Sequence, residues 1–433
     1  MASFPGAVVA DEFEIGAETP ERGGLAIRLA LVLCYFVLAI LLNSAGTVIL
    51  QSINSLGVGK EDAALLEAFK DLPIAIVSFL VASFLPRFGY RYSMMLGLAG
   101  IALACAGLAL FPSFFMVKLV FTVTGAAFAL IKVSVYSVIG LLTRTARGHA
   151  SFTNMVEGLF MVGVLSGYWL FAGFIDPADP ASRAWLAVYW VLAALVVAVL
   201  VLLAFSRLDE TAAHSERSNA AEDFVDMLRL MLRPLILVFV ITAFLSVLIE
   251  QGIGTWLPTF NNQVLSLPAA MSVQAASIFA LGLALGRLLA ALALSRIGWY
   301  PVLNLCLGAM ALLVVLTLPL TQGLKAHPQM SWFDAPAAAF VLPLIGVFMA
   351  PIYPAINSAL LSSLPRSEHA AMMGLIVVFS ALGGTTGSLI IGQVFGAFSG
   401  QTAFYLLLVP MALMIVSVYF FKRAIDATRA ETA

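Results

Sequence analysis

Several charged residues interrupt long apolar stretches of this sequence. Five of them are the leading positions at which it could do chemistry: Lys70, Asp71, Lys132, Glu157 and Glu250. Placing a charged side chain near the centre of a bilayer costs about 2.5–3.5 kcal/mol. Such residues are therefore expected to face a partner or a water-filled cavity rather than lipid. The chemistry open to them is the binding of a polar solute and the uptake and release of a proton.

Glu250 is the leading candidate for proton transfer. It lies deep in its apolar stretch, and Gly252 and Gly254 follow at once. Glycines weaken a helix and permit a break that lines a cavity. We predict that Glu250 and Lys132 both face a central cavity near mid-membrane. Glu250 is predicted to carry the coupling proton, with Glu157 and Asp71 as the next candidates.

Lys132 admits two interpretations. It is either one half of a structural ion pair with a carboxylate on a neighbouring helix, or a cavity cation that binds an anionic group or a proton-loading carboxylate. Glu157 lies about seven residues from the end of its segment, so contact with interfacial water is the alternative to a role in the cavity.

Glu67, Lys70 and Asp71 form a charged cluster on the second apolar segment. Spacings of three and four residues place Glu67 beside the other two on a helix. Lys70 and Asp71 are adjacent, so they point about 100° apart and are not expected to pair. Glu67 is expected near the outer end, in contact with water. A pair that snorkels to the interface is the alternative for Lys70 and Asp71.

Other polar or amphipathic side chains suit a sugar-like ligand through hydrogen bonding and stacking, with ordinary interhelical packing as the alternative. They are Asn43, Gln251, Trp256, Tyr353 and Asn357.

The composition is that of a membrane protein. Of its 433 residues, 62% are hydrophobic and only 10% charged, against roughly 25% charged residues in soluble domains. The net charge of -1 argues against nucleic-acid binding. The three cysteines and four histidines show no metal-binding or disulfide spacing, and no phosphate-binding glycine loop is present. We therefore expect neither an enzyme nor a cofactor, metal or ATP.

A spanning helix needs about 20 apolar residues, and twelve such segments can be assigned: 25–52, 62–85, 92–111, 114–142, 150–175, 184–206, 232–260, 272–294, 301–319, 336–362, 371–397 and 402–422. The predicted fold is an all-α membrane protein of two pseudo-symmetric six-helix bundles. Its parts are an N-terminal tail (1–24), a first bundle (25–206), a cytoplasmic linker (207–231), a second bundle (232–422) and a C-terminal tail (423–433).

A short basic turn occurs in both predicted bundles. Arg87-Phe-Gly-Tyr and Arg296-Ile-Gly-Trp each follow a long apolar segment at corresponding places. Such an internal repeat is typical of membrane proteins built from two related bundles.

The positive-inside rule sets the orientation. With both termini inside, fifteen Lys and Arg residues lie on the inner side and three on the outer side. The acidic N-terminus is not typical of a signal peptide. We therefore predict a bacterial inner-membrane protein with both termini in the cytoplasm.

The two halves, the linker and the repeated turn resemble the major facilitator superfamily. That family's inner turn reads Gly-x-x-x-Asp-Arg-x-Gly-Arg-Arg/Lys, and this sequence keeps three of those residues, with Pro86 in place of the Asp. The resemblance implies conformational gating at the two turns and at the Gly-Arg pair before the second turn. The residues concerned are Arg87, Gly89, Arg91, Arg287, Arg296 and Gly298; for Arg287 a scaffold role is as well founded as a binding role.

Three motifs are similar to the fucose–galactose–glucose:proton symporter branch: Glu250-Gln-Gly-Ile-Gly-Thr-Trp-Leu, Gly346-Val-Phe-Met-Ala-Pro-Ile-Tyr-Pro-Ala-Ile and Gly374-Leu-Ile-Val-Val-Phe-Ser-Ala-Leu-Gly-Gly. The fourth helix departs from the pattern of this branch. Fucose permeases carry a Glu in that helix, and the closest corresponding residue of this sequence is Lys132.

The resemblance implies a monomeric, proton-coupled secondary transporter that takes up a small polar solute by alternating access. The solute is a sugar, an acidic sugar or an organic anion. Efflux of an amphipathic, drug-like or siderophore-like compound is the alternative function, and sodium in place of the proton is an alternative coupling ion.

Overall fold

The computed structural model describes residues 22–143, 145–206, 208, 210, 229–321, 324, 330–365 and 368–432. Within this part of the chain, eleven helices are long and apolar enough to cross a membrane. A further helix, Lys60–Phe88, has 29 residues and carries the cluster predicted at Glu67, Lys70 and Asp71. The predicted fold of twelve helices in two bundles is confirmed.

Six helices form the first half: α1 (Arg22–Leu42, continued by Ala45–Leu56), α2 (Lys60–Phe88), α3 (Tyr90–Leu110), α4 (Phe114–Leu142), α5 (Ala146–Ala172) and α6 (Val188–Phe205, preceded by the 3₁₀ turn Ala184–Ala187).

The second half contains α7 (Pro234–Gln263), α8 (Ala269–Ile297), α9 (Trp299–Thr317, followed by the 3₁₀ turn Leu318–Thr321), α10 (Ala338–Val341, Leu342–Leu344, Ile345–Met349 and Ile352–Leu361), α11 (His369–Ala397) and α12 (Gly400–Leu406, continued by Leu408–Thr432). Because α12 continues to Thr432, the stretch predicted as a C-terminal tail extends the last helix. The predicted N-terminal tail and linker lie almost wholly outside the described residues.

Within the described residues α1, α10 and α12 are interrupted, and the breaks in α1 and α10 have a local cause. In α1 the side chains of Asn43 and Ser44 donate hydrogen bonds to the carbonyls of Ala39 (2.9 Å) and Leu41 (2.7 Å), an arrangement that competes with the regular ladder. In α10 the break falls beside Pro351, which has no N–H to donate.

The break predicted at Gly252 and Gly254 does not occur, since α7 is one continuous helix of 30 residues. Both glycines instead allow close packing. A Cβ atom at Gly254 would lie 3.0 Å from the Phe279 ring of α8, and one at Gly252 would lie 3.3 Å from Ile391 of α11.

The two repeated turns share one backbone conformation. Gly89, between α2 and α3, has φ 83°, and Gly298, between α8 and α9, has φ 85°. Both values lie in the region that favours glycine. The repeat in sequence is therefore a repeat in structure at these two glycines.

Among the described residues, the halves meet mainly through three pairs of helices: α2 with α11, α1 with α7 and α5 with α8. We call the membrane face at which α1 begins the tail side and the opposite face the far side. Near the far side, the Lys60 ammonium lies 4.8 Å from the centre of the Phe395 ring, and Ser388 donates to the Ala64 carbonyl (3.3 Å). The second segment of α1 packs so closely on α7 that a Cβ at Gly46 would lie 2.5 Å from the Thr255 carbonyl oxygen. These contacts close the far side.

Candidate functional site

Charged side chains lie well inside the membrane-spanning helices of both halves. Lys132 lies ten residues before the end of α4, Glu157 eleven residues after the start of α5 and Arg287 ten residues before the end of α8. At about 1.5 Å per residue, all three lie about 15 Å from the tail-side ends of their helices. Glu250 lies deeper, sixteen residues into α7. We call these four residues the charged belt.

In the first half, aromatic side chains contact the two charged residues of the belt, Lys132 and Glu157. Glu157 interacts electrostatically with Lys132 and accepts a hydrogen bond from the Tyr136 hydroxyl. Lys132 has an exposed side chain, and its ammonium lies 5.5 Å from the centre of the Phe128 ring. The ring centre of Tyr35 in α1 lies 6.1 Å from that of Tyr136 and 6.4 Å from that of Phe128. The sequence left Lys132 between two interpretations, and the structure gives it a carboxylate on the neighbouring helix while leaving it exposed.

In the second half, Arg287 is the cation that interacts with Glu250. Its guanidinium also reaches the other half, where it lies 3.5 Å from the Met161 sulfur, one turn beyond Glu157. Tyr353 of α10 interacts electrostatically with Glu250 and shares a hydrogen bond of 2.8 Å with Ser380 of α11. The belt thus has one cation and one carboxylate in each half, and Arg287 joins the two.

Beyond the belt, the cleft between the halves narrows to a polar end of about 70 Å³. Its walls come from α1, α2, α5, α7 and α8. The polar side chains among them are Asn43, Glu67, Lys70, Tyr168, Glu250, Gln251 and Thr255. This end brings together three of the predicted binding residues, Asn43, Gln251 and Glu250, with two of the predicted charges of α2, Glu67 and Lys70.

The α2 cluster differs from the sequence-based expectation. Glu67, Lys70 and Asp71 are 1%, 5% and 8% exposed, so Glu67 does not lie in water as predicted. The Lys70 ammonium lies 2.5 Å from Glu67 and 3.6 Å from Asp71, although adjacent residues were not expected to pair. The flexible four-carbon stem of lysine bridges the angle between neighbouring positions. We call these three residues the buried triad.

Trp256 does not line the cleft. Its side chain is fully buried, donates to the carbonyl (3.0 Å) and hydroxyl (3.2 Å) oxygens of Ser388, and packs on Phe395. The stacking role predicted for this residue is therefore replaced by a contact within the second half. Asn357 is partly buried one turn beyond Tyr353, and its part in solute binding stays a prediction.

The predicted gating residues lie at helix ends on the tail side, apart from Arg287. Arg91 donates through Nε to the Leu203 carbonyl (3.1 Å) and also to the Ala204 carbonyl, so a cation caps the end of α6. Glu210 accepts the backbone N–H of Tyr90 (2.9 Å) and of Arg91 (2.8 Å) at the start of α3. Arg296 is exposed, and the side chain of Arg87 lies outside the described residues.

Sequence reasoning missed Tyr136, Tyr168 and Thr255. Tyr136 follows Lys132 by four residues and Thr255 follows Gln251 by four, so each lies one helical turn from a predicted residue. That spacing was the available signal.

A sequence model of the Major Facilitator Superfamily matches residues 31–342 and 275–432. No curated protein sequence matches the chain. The nucleoside transporter NupG is 14% identical, with a TM-score of 0.69, over 93% of this chain and 99% of that one. A D-xylose-proton symporter is 14% identical, with a TM-score of 0.64, over 92% of this chain and 96% of that one. The E. coli fucose:proton symporter FucP is 15% identical, with a TM-score of 0.57, over 92% of this chain and 99% of that one. These structures share the fold described above.

Proposed function

The chain belongs to the Major Facilitator Superfamily, and from this membership we propose that it is a proton-coupled secondary transporter that takes up a small polar solute by alternating access. The observation that carries the proposal is the charged belt. Two cation–carboxylate pairs, one in each half, lie within the membrane-spanning helices. Glu250 lines the cleft between the halves, and Arg287 contacts the opposite half at Met161.

The belt favours a neutral, hydroxyl-rich solute over an anion. Lys132 interacts with Glu157 and Arg287 with Glu250, so each cation already has a carboxylate and the belt carries no net charge when all four are ionised. Hydroxyl groups can hydrogen-bond to such pairs without leaving one of these charges uncompensated. The structures similar in fold are those of transporters of a nucleoside, D-xylose and fucose, all solutes of this kind.

The proposal is tested with the purified protein in liposomes. An inward pH gradient should drive accumulation of a sugar or nucleoside from a panel that also contains uronic acids, organic anions and amphipathic drugs. Addition of the transported solute without a gradient should alkalinise the outside medium. Accumulation driven by a sodium gradient alone would identify sodium, not the proton, as the coupling ion. Outward movement of an amphipathic compound would support efflux instead of uptake.

The class of solute is decided by a double-mutant cycle on Lys132 and Glu157. For a neutral solute, Lys132→Met and Glu157→Gln should each weaken binding by about tenfold or more, about 1.4 kcal/mol, because each leaves one charge uncompensated. The double variant restores neutrality and should recover part of the loss.

An anionic solute predicts a different pattern in the same binding assay. Both variants that lack Lys132 should then lose binding, with no recovery in the double variant. Lys118→Met serves as the control, because Lys118 lies on the same helix but contacts Phe69 and Phe114 near the far side. It should bind solute as the parent does.

The orientation gives a second prediction. With the tail side in the cytoplasm, a cysteine introduced at Ser218 in the predicted linker should resist a membrane-impermeant thiol reagent in intact cells. A cysteine at Ala181, in the exposed far-side loop between α5 and α6, should react with it. The three native cysteines are buried and should not interfere. The reverse labelling pattern would invert the topology.

A further inference from the structure

The buried triad joins the two halves at the closed far side. The Thr255 hydroxyl of α7 donates to Glu67 of α2 at 2.7 Å. A Cβ at Gly384 of α11 would lie 2.6 Å from an oxygen of Asp71, so the backbone of α11 covers this carboxyl. Two of the three residues therefore touch the opposite half, and the triad is part of the surface that must separate when the far side opens.

The charges of the triad do not balance. Two carboxylates share one ammonium, so the triad has a net charge of -1 when all three groups are ionised. A buried charge without a partner is costly in a medium of low polarity. One additional proton on either carboxyl group removes the imbalance.

The surrounding groups do not supply the missing positive charge. The polar side chains that line this end of the cleft beside Glu67 and Lys70 are Asn43 of α1, Tyr168 of α5 and Gln251 and Thr255 of α7. None of these is a cation. The remaining charged group at this end of the cleft is Glu250, which is acidic. On α4 and α11, glycines pack directly on the triad: Gly125 on the Lys70 backbone and Gly384 on Asp71.

We propose that the buried triad is a proton-binding site that controls the far-side gate. When the far side is open, the carboxyl groups of Glu67 and Asp71 meet water, and one of them accepts a proton from it. The neutral triad then fits between the halves and the gate closes. Without that proton, closing buries a net negative charge, so the halves stay apart.

The same site has a route for release. Glu67 and Lys70 line the narrow end of the cleft together with Glu250. In the far-side-closed state, the proton leaves the triad carboxyl for the carboxylate of Glu250 and then for water on the tail side. This assignment rests on the proposed function and gives Glu250 and the triad separate roles, release on one side and loading on the other.

The gate can be followed without any solute. Asp62 at the far-side end of α2 and Ala397 at that of α11 are both exposed. Spin labels on cysteines at these positions, with the three native cysteines replaced by alanine, report the distance between the halves by pulsed electron paramagnetic resonance. The parent protein in lipid nanodiscs should show the short distance near about pH 5 and a growing long-distance population toward about pH 9.

Three substitutions then show how many protons the triad must bind before the far side closes. Asp71→Asn and Glu67→Gln each leave a neutral triad without a bound proton, so the short distance should persist across the pH range. Lys70→Met leaves two carboxyl groups without a cation, so closing should need two protons and the long-distance population should extend to lower pH. Asp426→Asn, which removes an exposed carboxyl from α12, should behave as the parent does.

The outcomes separate this inference from the proposed function. A parent whose distance ignores pH, or Asp71→Asn and Glu67→Gln variants that keep the parental pH response, would overturn the triad as the proton site even if uptake is proton-driven. A pH response that both substitutions abolish supports the site, even in a protein that shows no solute accumulation, where the proposed function alone would fail.

Discussion

Glu250→Gln should abolish accumulation of solute against a gradient while leaving exchange of solute across the membrane intact. Glutamine has the shape and neutrality of protonated glutamic acid but cannot release a proton. Glu250 lies where such release matters, because it interacts with Arg287 in the belt and lines the narrow end of the cleft. The variant should therefore change conformation with or without solute and lose its connection to the proton gradient.

The expected effect is large. One proton moving down a gradient equivalent to about 100 mV provides about 2.3 kcal/mol, which supports about fiftyfold accumulation. In the variant the ratio of inside to outside solute should approach unity. Counterflow of labelled solute, which needs no gradient, should proceed at a rate close to that of the parent.

Glu368→Gln is the matched control. This glutamate lies at the start of α11 on the tail side, paired with Arg233 of the same half at 2.7 Å, and its loss should leave accumulation unchanged. A Glu250→Gln protein that still concentrates solute would remove Glu250 from the coupling path. The release step would then pass to Glu157 or Asp71.

The sequence showed which charged residues lie within the helices, but it did not predict all of their partners. The cost of burying charge is a property of each residue in its segment, so Lys132, Glu157 and Glu250 stand out without knowledge of the fold. Their partners depend on how helices pack. The interaction of Glu250 with Arg287 joins α7 to α8, and no spacing within one helix could predict it.

The errors have the same origin. Glu67 was expected in water because it lies near the end of its segment, but α7 covers that end and Thr255 donates to the carboxylate. Trp256 was expected to stack on a ligand, but α11 supplies Ser388 as the acceptor for its indole N–H. Gly252 was expected to permit a break in α7, yet the helix is continuous there and the glycine allows a neighbouring helix to approach. In each case a contact with another helix determines the outcome.

Gly46→Val should hold the protein open on the far side. A Cβ at this position would meet the Thr255 carbonyl oxygen at 2.5 Å and the Pro258 ring at 3.3 Å, and both belong to the opposite half. The clash therefore arises only when the halves close, so the folded bundles are left intact. Overpacking of this kind typically costs about 1–3 kcal/mol, and a bias of that size shifts a two-state equilibrium by about 5- to 150-fold.

The position of the clash separates a gating defect from a folding defect. At Gly125 the same valine would meet the Lys70 carbonyl, a contact within the first half, so Gly125→Val should lower the thermal unfolding temperature. Nothing lies within 4 Å of a Cβ at Gly308, so Gly308→Val should match the parent in both stability and uptake.

Gly46→Val should unfold at the parental temperature, show the long distance between the labels at Asp62 and Ala397, and lose uptake. If it transports at the parental rate, the close approach of α1 and α7 is not the gate, and closure of the far side must depend on the contacts between α2 and α11.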